Sequence, residues 1–425
     1  MILRVLLTTW AWPSHLYPMV PLGWALQAAG HDVRVAVGPG LADAVGRAGL
    51  SPVTVADDAD LVGMSTAPAL KSWHRQARWT NDWQGRPELL SPSQQEMYAA
   101  LGHKQTAMAA AMVDGLIGFA RAWRPDLVVH DAVTFAGLVA GAVLDVPTAA
   151  TLWGNIVLPR HHRDPLTGNL APDFAALFKR FGVAPKPEPD VWIDPCPPRM
   201  SLPSPDPRLP CRYVPYNGPG TGPDWLLDPP SRPRVCVTWG ITSARIGGGT
   251  PDVFDQVLAA VHGLDAELVL ALSDTGQAPP EGLPAGTRVV ENLPLSLLLP
   301  SCSAVVHQGG GGTTMTSVWS GTPQLIVSPR PEQMMTGDRL ETLGAGRHLV
   351  RGDLAAGTAR SGTRRIHDAL VGLLDDAAYA RAARELRHNM LAQPTPAALV
   401  PHLESLAASG PAGAPAAGPH RKDIR

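Results

Sequence analysis

His307 to Val327 reads HQGGGGTTMTSVWSGTPQLIV, and the apolar run SAVVH, ending at His307, leads straight into it. A valine-rich run, a glycine turn, a helix-length segment and a second apolar run from Gln324 spell strand, turn, helix and strand. Two strands joined through a helix lie parallel in one sheet, so this stretch sets the fold class as α/β. Glycine has the most backbone freedom to lose, so four in a row serve a conformation or a close approach that side chains would block. If TTMTSVWSG opens a helix, the amides of its first turn have no partners inside it and attract anions, phosphate above all. The turn matches neither a Walker A loop nor the spaced glycines of a dinucleotide fold. Read alone, it stays open to being an ordinary surface loop.

The same grammar recurs on both sides. ILRVLLT at residues 2–8 is a continuous apolar run suited to a strand buried on both faces, and PLGWALQAAGHDVRVAV reads as a helix ended by Gly30 and a second strand. RPDLVVHDAVTFAGLVAGAVLDVPTAAT repeats the unit, with a strand over Asp126–His130 and another from Val146. Proline becomes dense between about Pro185 and Pro233, which forbids continuous helix and marks a domain junction. Strands restart at RVCVTWG, ELVLAL and TRVVENL. The expected organisation is a first domain over residues 1–205, a proline-rich linker over 206–232, a second domain over 233–406 whose last helix packs back on the first, and a disordered tail over 407–425.

A chain of 425 residues suits two such cores. Charged residues are 17% of it and the formal net charge is -2, with no long basic run, which argues against a nucleic-acid partner. Cys196, Cys211, Cys236 and Cys302 form no CxxC pair, so neither a zinc site nor a disulfide framework is indicated, and a reducing cytoplasm fits. The opening MILRVLLTTWAWPSHLYP has neither a signal peptide's cleavage region nor the length of a membrane span.

The continuation of the glycine stretch carries a resemblance. The pattern H-x-G-x-G-T, then G-x-P-Q, then Glu332-Gln333 on the loop expected after the second apolar run resembles the signature of glycosyltransferase family 1, enzymes with the GT-B fold of two Rossmann-like doubly wound domains facing each other across a cleft. Within it, PLGWALQAAGHDVRVA, RYVPYNG before PDWL, and LLPSCSAVVHQGGGGT look like the actinobacterial antibiotic glycosyltransferases of macrolide and anthracycline pathways. The resemblance implies an inverting transfer of a deoxysugar from a thymidine diphosphate (TDP) sugar to a hydroxyl of a polyketide aglycone, with no tightly bound cofactor and no metal. It places the diphosphate on His307 and the turn Gly309, Gly310, Gly311, Gly312, Thr313 and Thr314, and the sugar hydroxyls on Glu332 and Gln333. Gly240, Thr242 and Ser243 would close over the phosphates, although small polar residues are ordinary loop composition. Many relatives stack an aromatic residue on the nucleobase where this chain has Asn292 and Leu293, so Leu293 is the expected base contact.

His15 follows the first strand, at the edge of a parallel sheet where ligands bind. A lone histidine is more often structural, but the resemblance makes His15 the general base, a task suited to an imidazole titrating near neutrality. Asp131, after the strand DLVVH, is the residue expected to orient it, with helix capping as the plainer alternative. Side-chain alternation points the neighbouring His130 the other way. The segment over 64–105 shows no strand pattern and carries Trp73, Trp79 and Trp83; with Trp10 and Trp12 these indoles suit an apolar wall for a flat aglycone, though some belong to the core. The resemblance further implies a helper protein similar to a cytochrome P450, and a homodimer is a further expectation. Two other readings stand: a lipid or cell-wall glycosyltransferase of the same fold, which would call for a basic apolar patch not seen near residues 60–110, and a non-catalytic scaffold subunit.

Overall fold

The central apolar runs fold as parallel strands because they are buried on both faces, with helices packed over the sheet. The computed structural model describes residues 2–10, 12–56, 63–64, 67–70, 72–73, 76–80, 83, 86–154, 156–204, 206–239, 252–272 and 282–410. The first sheet is built from β1 (Arg4–Thr8), β2 (Asp32–Val37), β3 (Ser51–Thr54), β4 (Leu127–Asp131), β5 (Thr148–Thr151), β6 (Val191–Asp194) and β7 (Arg208–Pro210). Its order is β3-β2-β1-β4-β5-β6-β7, with every pairing parallel. The second contains β8 (Arg234–Thr238), β9 (Glu267–Leu272), β10 (Arg288–Glu291), β11 (Ala304–His307), β12 (Gln324–Ser328) and β13 (Gly346–Val350), in the order β10-β9-β8-β11-β12-β13 and again parallel.

The helices are α1 (Pro13–Leu16), α2 (Val20–Ala28), α3 (Pro39–Arg47), α4 (Pro92–Trp123), α5 (Ala136–Leu144) and α6 (Pro172–Lys179) around the first sheet. Around the second are α7 (Asp252–Val261), α8 (Leu295–Leu298), α9 (Gly311–Ser320), α10 (Pro331–Thr342), α11 (Arg351–Ala355), α12 (Ala359–Asp375) and α13 (Ala377–Leu391). A last helix, α14 (Pro396–Ser409), returns to the first domain: Leu399, Val400, Leu403 and Leu406 lie in one apolar cluster with Leu3, Val5 and Leu7 of the first strand region. Alternation sorts the core, since Leu6 joins the cluster on the opposite face.

Sequence reading and structure part in four places. β6 and β7 extend the first sheet into the proline-dense region, and β7 lies inside the segment assigned to the linker; β7 is an edge strand, where Pro210 removes no needed donor. The segment taken as a long irregular connection is helical from Pro92 onward, started by a capping box in which Ser91 and Gln94 exchange hydrogen bonds. Glu332 and Gln333 sit in the first turn of α10, not on a loop, because Pro331 is pre-set for a helix start. Helix α14 runs to Ser409, past the point where disorder was expected; residues 411–425 lie outside the described residues.

Candidate functional site

In each sheet the strand order reverses at one point, between β1 and β4 in the first and between β8 and β11 in the second. The loops leaving two adjacent strands in opposite directions open a crevice there. His15 follows β1 and Asp131 ends β4, so the switch point brings them together despite their separation in sequence.

His15 Nδ1 lies 3.1 Å from Asp131 Oδ1. The carboxylate is buried and further held by Thr9 Oγ1 at 2.9 Å, by the Val133 amide at 3.1 Å and by the Thr134 hydroxyl. Burial works to raise the Asp131 carboxyl, but the His15 ring and the hydrogen bonds from His15, Thr134 and Val133 outweigh it and leave it below the ordinary carboxylate value. An ionised Asp131 accepts from Nδ1–H, which leaves His15 Nε2 as the basic nitrogen. His130 points beneath α5, where its ring fills the space a Cβ on Gly137 would need, and its Nδ1 lies 2.8 Å from the Asp131 carbonyl. Burial lowers its pKa, so it is a neutral core residue.

In the second sheet β11 delivers the glycine turn, and α9 starts within it at Gly311, two residues before the threonines. The helix N-cap, Gly310, has no side chain to satisfy the first amides, so the positive end of the helix is uncovered. The glycines serve different ends. Gly309 has φ +86°, a conformation costly for other residues, and a Cβ on Gly311 would lie 2.6 Å from Trp153 Cδ1, whereas a Cβ on Gly312 would meet nothing within 4 Å. Bare backbone is needed here partly for turn geometry and partly for a protein contact.

The expectation that the diphosphate lies on the His307 ring is corrected. His307 is fully buried; its Nδ1 accepts from the Gly309 amide at 3.0 Å and its Nε2 lies 2.9 Å from Gln324 Oε1, to which it donates. Burial pushes its pKa down to about 4, against the Gln324 hydrogen bond. Both ring nitrogens are committed and the ring is neutral, so His307 shapes the glycine turn from behind.

Next to that turn lies a set of buried polar atoms with no partner among the described residues: Gln333 Nε2 and Oε1, Glu332 Oε2, Gln308 Oε1 and Thr314 Oγ1. Glu332 Oε1 faces Arg330 Nε at 3.3 Å. Burying unpaired polar atoms costs free energy, so this group is one that a polar ligand could satisfy. Leu293 is half-buried in the apolar cluster containing Trp225, Leu298 and Val305. Gly240, Thr242 and Ser243 lie outside the described residues.

Trp73, Trp79 and Trp83 do not line the cleft. They form an edge-to-face series with Tyr98, at centroid distances of 6.0, 5.2 and 5.7 Å, inside a cluster with Leu70, Leu90, Met97 and Leu101. This satellite core docks on the second domain through the ion pair of Arg78 with Asp338, at 2.7 Å, and the hydrogen bond from the Gln76 amide to the Pro329 carbonyl, at 3.0 Å. Trp10 does flank the site, with its ring centroid 4.9 Å from that of His15.

Trp153 was missed by sequence reading. Its ring lies 4.6 Å from His15, and its indole and carbonyl abut Gly311 across the cleft. No spacing rule could announce it, because it follows β5, two strands away from β1. The His15 ring and the start of α9 thus both pack against one side chain.

Known proteins resemble this chain along its length. Residues 24–240 match the erythromycin biosynthesis protein CIII-like N-terminal domain and residues 255–406 the corresponding C-terminal domain. The chain is 36% identical to 10-deoxymethynolide desosaminyltransferase of Streptomyces venezuelae, covering 96% of this chain and 97% of that one. It is 37% identical to TDP-daunosamine transferase DnrS of Streptomyces peucetius over 97% of this chain and 99% of that one. Among solved structures, the spinosyn rhamnosyltransferase SpnG complexed with thymidine diphosphate superposes with a TM-score of 0.77 at 28% identity, covering 95% of this chain and 100% of that one.

Proposed function

The chain belongs to the erythromycin biosynthesis protein CIII-like glycosyltransferases, with the GT-B fold, and from that premise we propose that it moves a deoxysugar from a TDP-sugar to a hydroxyl of a polyketide aglycone. The observation that carries the reading is that the Asp131-supported His15 and the uncapped start of α9 both pack against Trp153.

In this reading the diphosphate lies on the amides of Gly310–Thr313, and Glu332 and Gln333 take the sugar hydroxyls that their unpartnered atoms call for. The acceptor oxygen gives its proton to His15 Nε2 as it attacks the anomeric carbon. The bond from that carbon to the phosphate oxygen breaks on the opposite face, its electron pair leaving with the diphosphate, and the configuration inverts. Asp131 stabilises the imidazolium that forms and fixes its tautomer. Leu293 contributes an apolar contact to the base, and the role expected of His307 toward the diphosphate falls to the helix terminus.

The test incubates the protein with a panel of TDP-deoxysugars and macrolide or aromatic aglycones, with and without a P450-like helper, and reads products by mass spectrometry. A glycosylated aglycone is expected, with turnover reduced roughly 10²–10⁴-fold in His15→Ala. Equal turnover in that variant would sink the assignment of the base, and no adduct with any pair would favour a scaffold role.

A further inference from the structure

Lys104, on α4, holds its ammonium 5.5 Å from the centroid of the Trp10 ring, and that ring neighbours His15. An ammonium has three donors and no acceptor. Among the described residues Lys104 makes no hydrogen bond or close ion pair; Arg330 and Glu332, across the cleft, are within Coulombic reach but are paired with each other. The Trp10 indole Nε1, which can only donate, is buried and also unpartnered. Burial lowers the Lys104 pKa to about 8, with Arg330 acting in the same direction and Glu332 against it. At neutral pH the ammonium is therefore mostly charged, on a half-buried side chain with no oxygen to accept from it among the described residues.

Two donors thus lie at the ring that neighbours His15, and neither has a hydrogen-bond acceptor among the described residues. We infer that Lys104 and Trp10 select acceptors that carry, near the hydroxyl to be glycosylated, an oxygen that only accepts hydrogen bonds: a ketone carbonyl or an ionised phenol. This rests on the glycosyl-transfer reading above. An alcohol at that place would satisfy the donors less well and leave its own proton facing the Arg330 and Lys104 charges. Lys104 is then a specificity-determining residue, supplied by the acceptor-side domain at the point where acceptor and sugar meet.

Two matched pairs of compounds test it: a macrolactone β-hydroxyketone against its borohydride-reduced diol, and a hydroxyanthraquinone against its O-methyl ether. Affinity is read from tryptophan fluorescence and transfer from product formation, with TDP binding as the control. The wild type is expected to favour the ketone or the free phenol by about tenfold, the scale of one charge-assisted hydrogen bond. The two pairs show which oxygen is preferred. Lys104→Met should erase the preference, mainly through KM, and Lys104→Arg should keep part of it. Equal affinity within both pairs in the wild type, or a preference that survives in Lys104→Met, overturns the inference. The wild-type ratio stands even if a variant fails to fold. Failure of TDP itself to bind would instead overturn the donor reading beneath it.

Discussion

At the scale of the residue, the Asp131 carboxylate decides what His15 can do. Four hydrogen-bonding partners, counting the ring itself, hold a buried acid ionised. Asp131→Asn keeps the shape but presents an amide that can donate to Nδ1, favouring the wrong tautomer. Its kcat should fall by roughly 10²–10⁴-fold with donor KM little altered. Steady-state kinetics alongside thermal unfolding separates this from a capping role, which would lower Tm and leave kcat intact. His15 and Asp131 could be read from the sequence because each ends or follows an apolar run whose strand identity was plain. Lys104 and Trp153 could not: their partners lie in other elements, and only the packing of α4 and β5 on the cleft brings them in.

At the scale of the element, α9 and the turn before it are set by contacts on both sides. Gly311→Ala would drive a methyl group into Trp153 at 2.6 Å, so the two domains cannot meet there without a shift. We expect turnover to drop by at least about tenfold, the 1 Å-scale misplacement of a reacting group being enough for that, while circular dichroism stays native. Gly312→Ala, where the added carbon meets nothing, is the matched control for packing, and equal losses in the two would show that Trp153 is not the cause. The glycine run was legible as a site where backbone is approached closely; that one approaching group is an indole of the other domain was not. The start of α4 was legible in principle, since Ser91-Pro92 followed by Gln94 is a capping box, but the tryptophans before it suggested a surface and hid the helix. Those indoles are core because their edges pack on one another and on α4, a relation that alternation within a loop does not encode.

At the scale of the whole molecule, several histidines are folded into the interior as neutral rings. Burial lowers His161 and His307 to about 4 and His162 to about 3. Unfolded, each titrates near 6.5, so between roughly pH 6.5 and 4 the unfolded chain binds protons that the native chain does not. Their contribution to stability is therefore intact above that window and declines as pH falls through it, at up to about 1.4 kcal/mol per pH unit for each ring. The urea midpoint should drop between pH 7 and pH 5, and His307→Gln should flatten the drop; a midpoint unchanged with pH in the wild type would contradict this account. The two-domain plan itself was legible because the central strands β1, β4, β8, β9 and β11 are valine- and leucine-rich runs, whereas the reach of the first sheet into proline-dense sequence was not, an edge strand being the one place where proline carries no such message. The return of α14 has a mechanical consequence. The polypeptide passes between the lobes twice, once after β7 and once before α14, and two tethers define an axis. The two crossings keep the lobes from drifting apart and so set an upper bound on how wide the mouth between them can open.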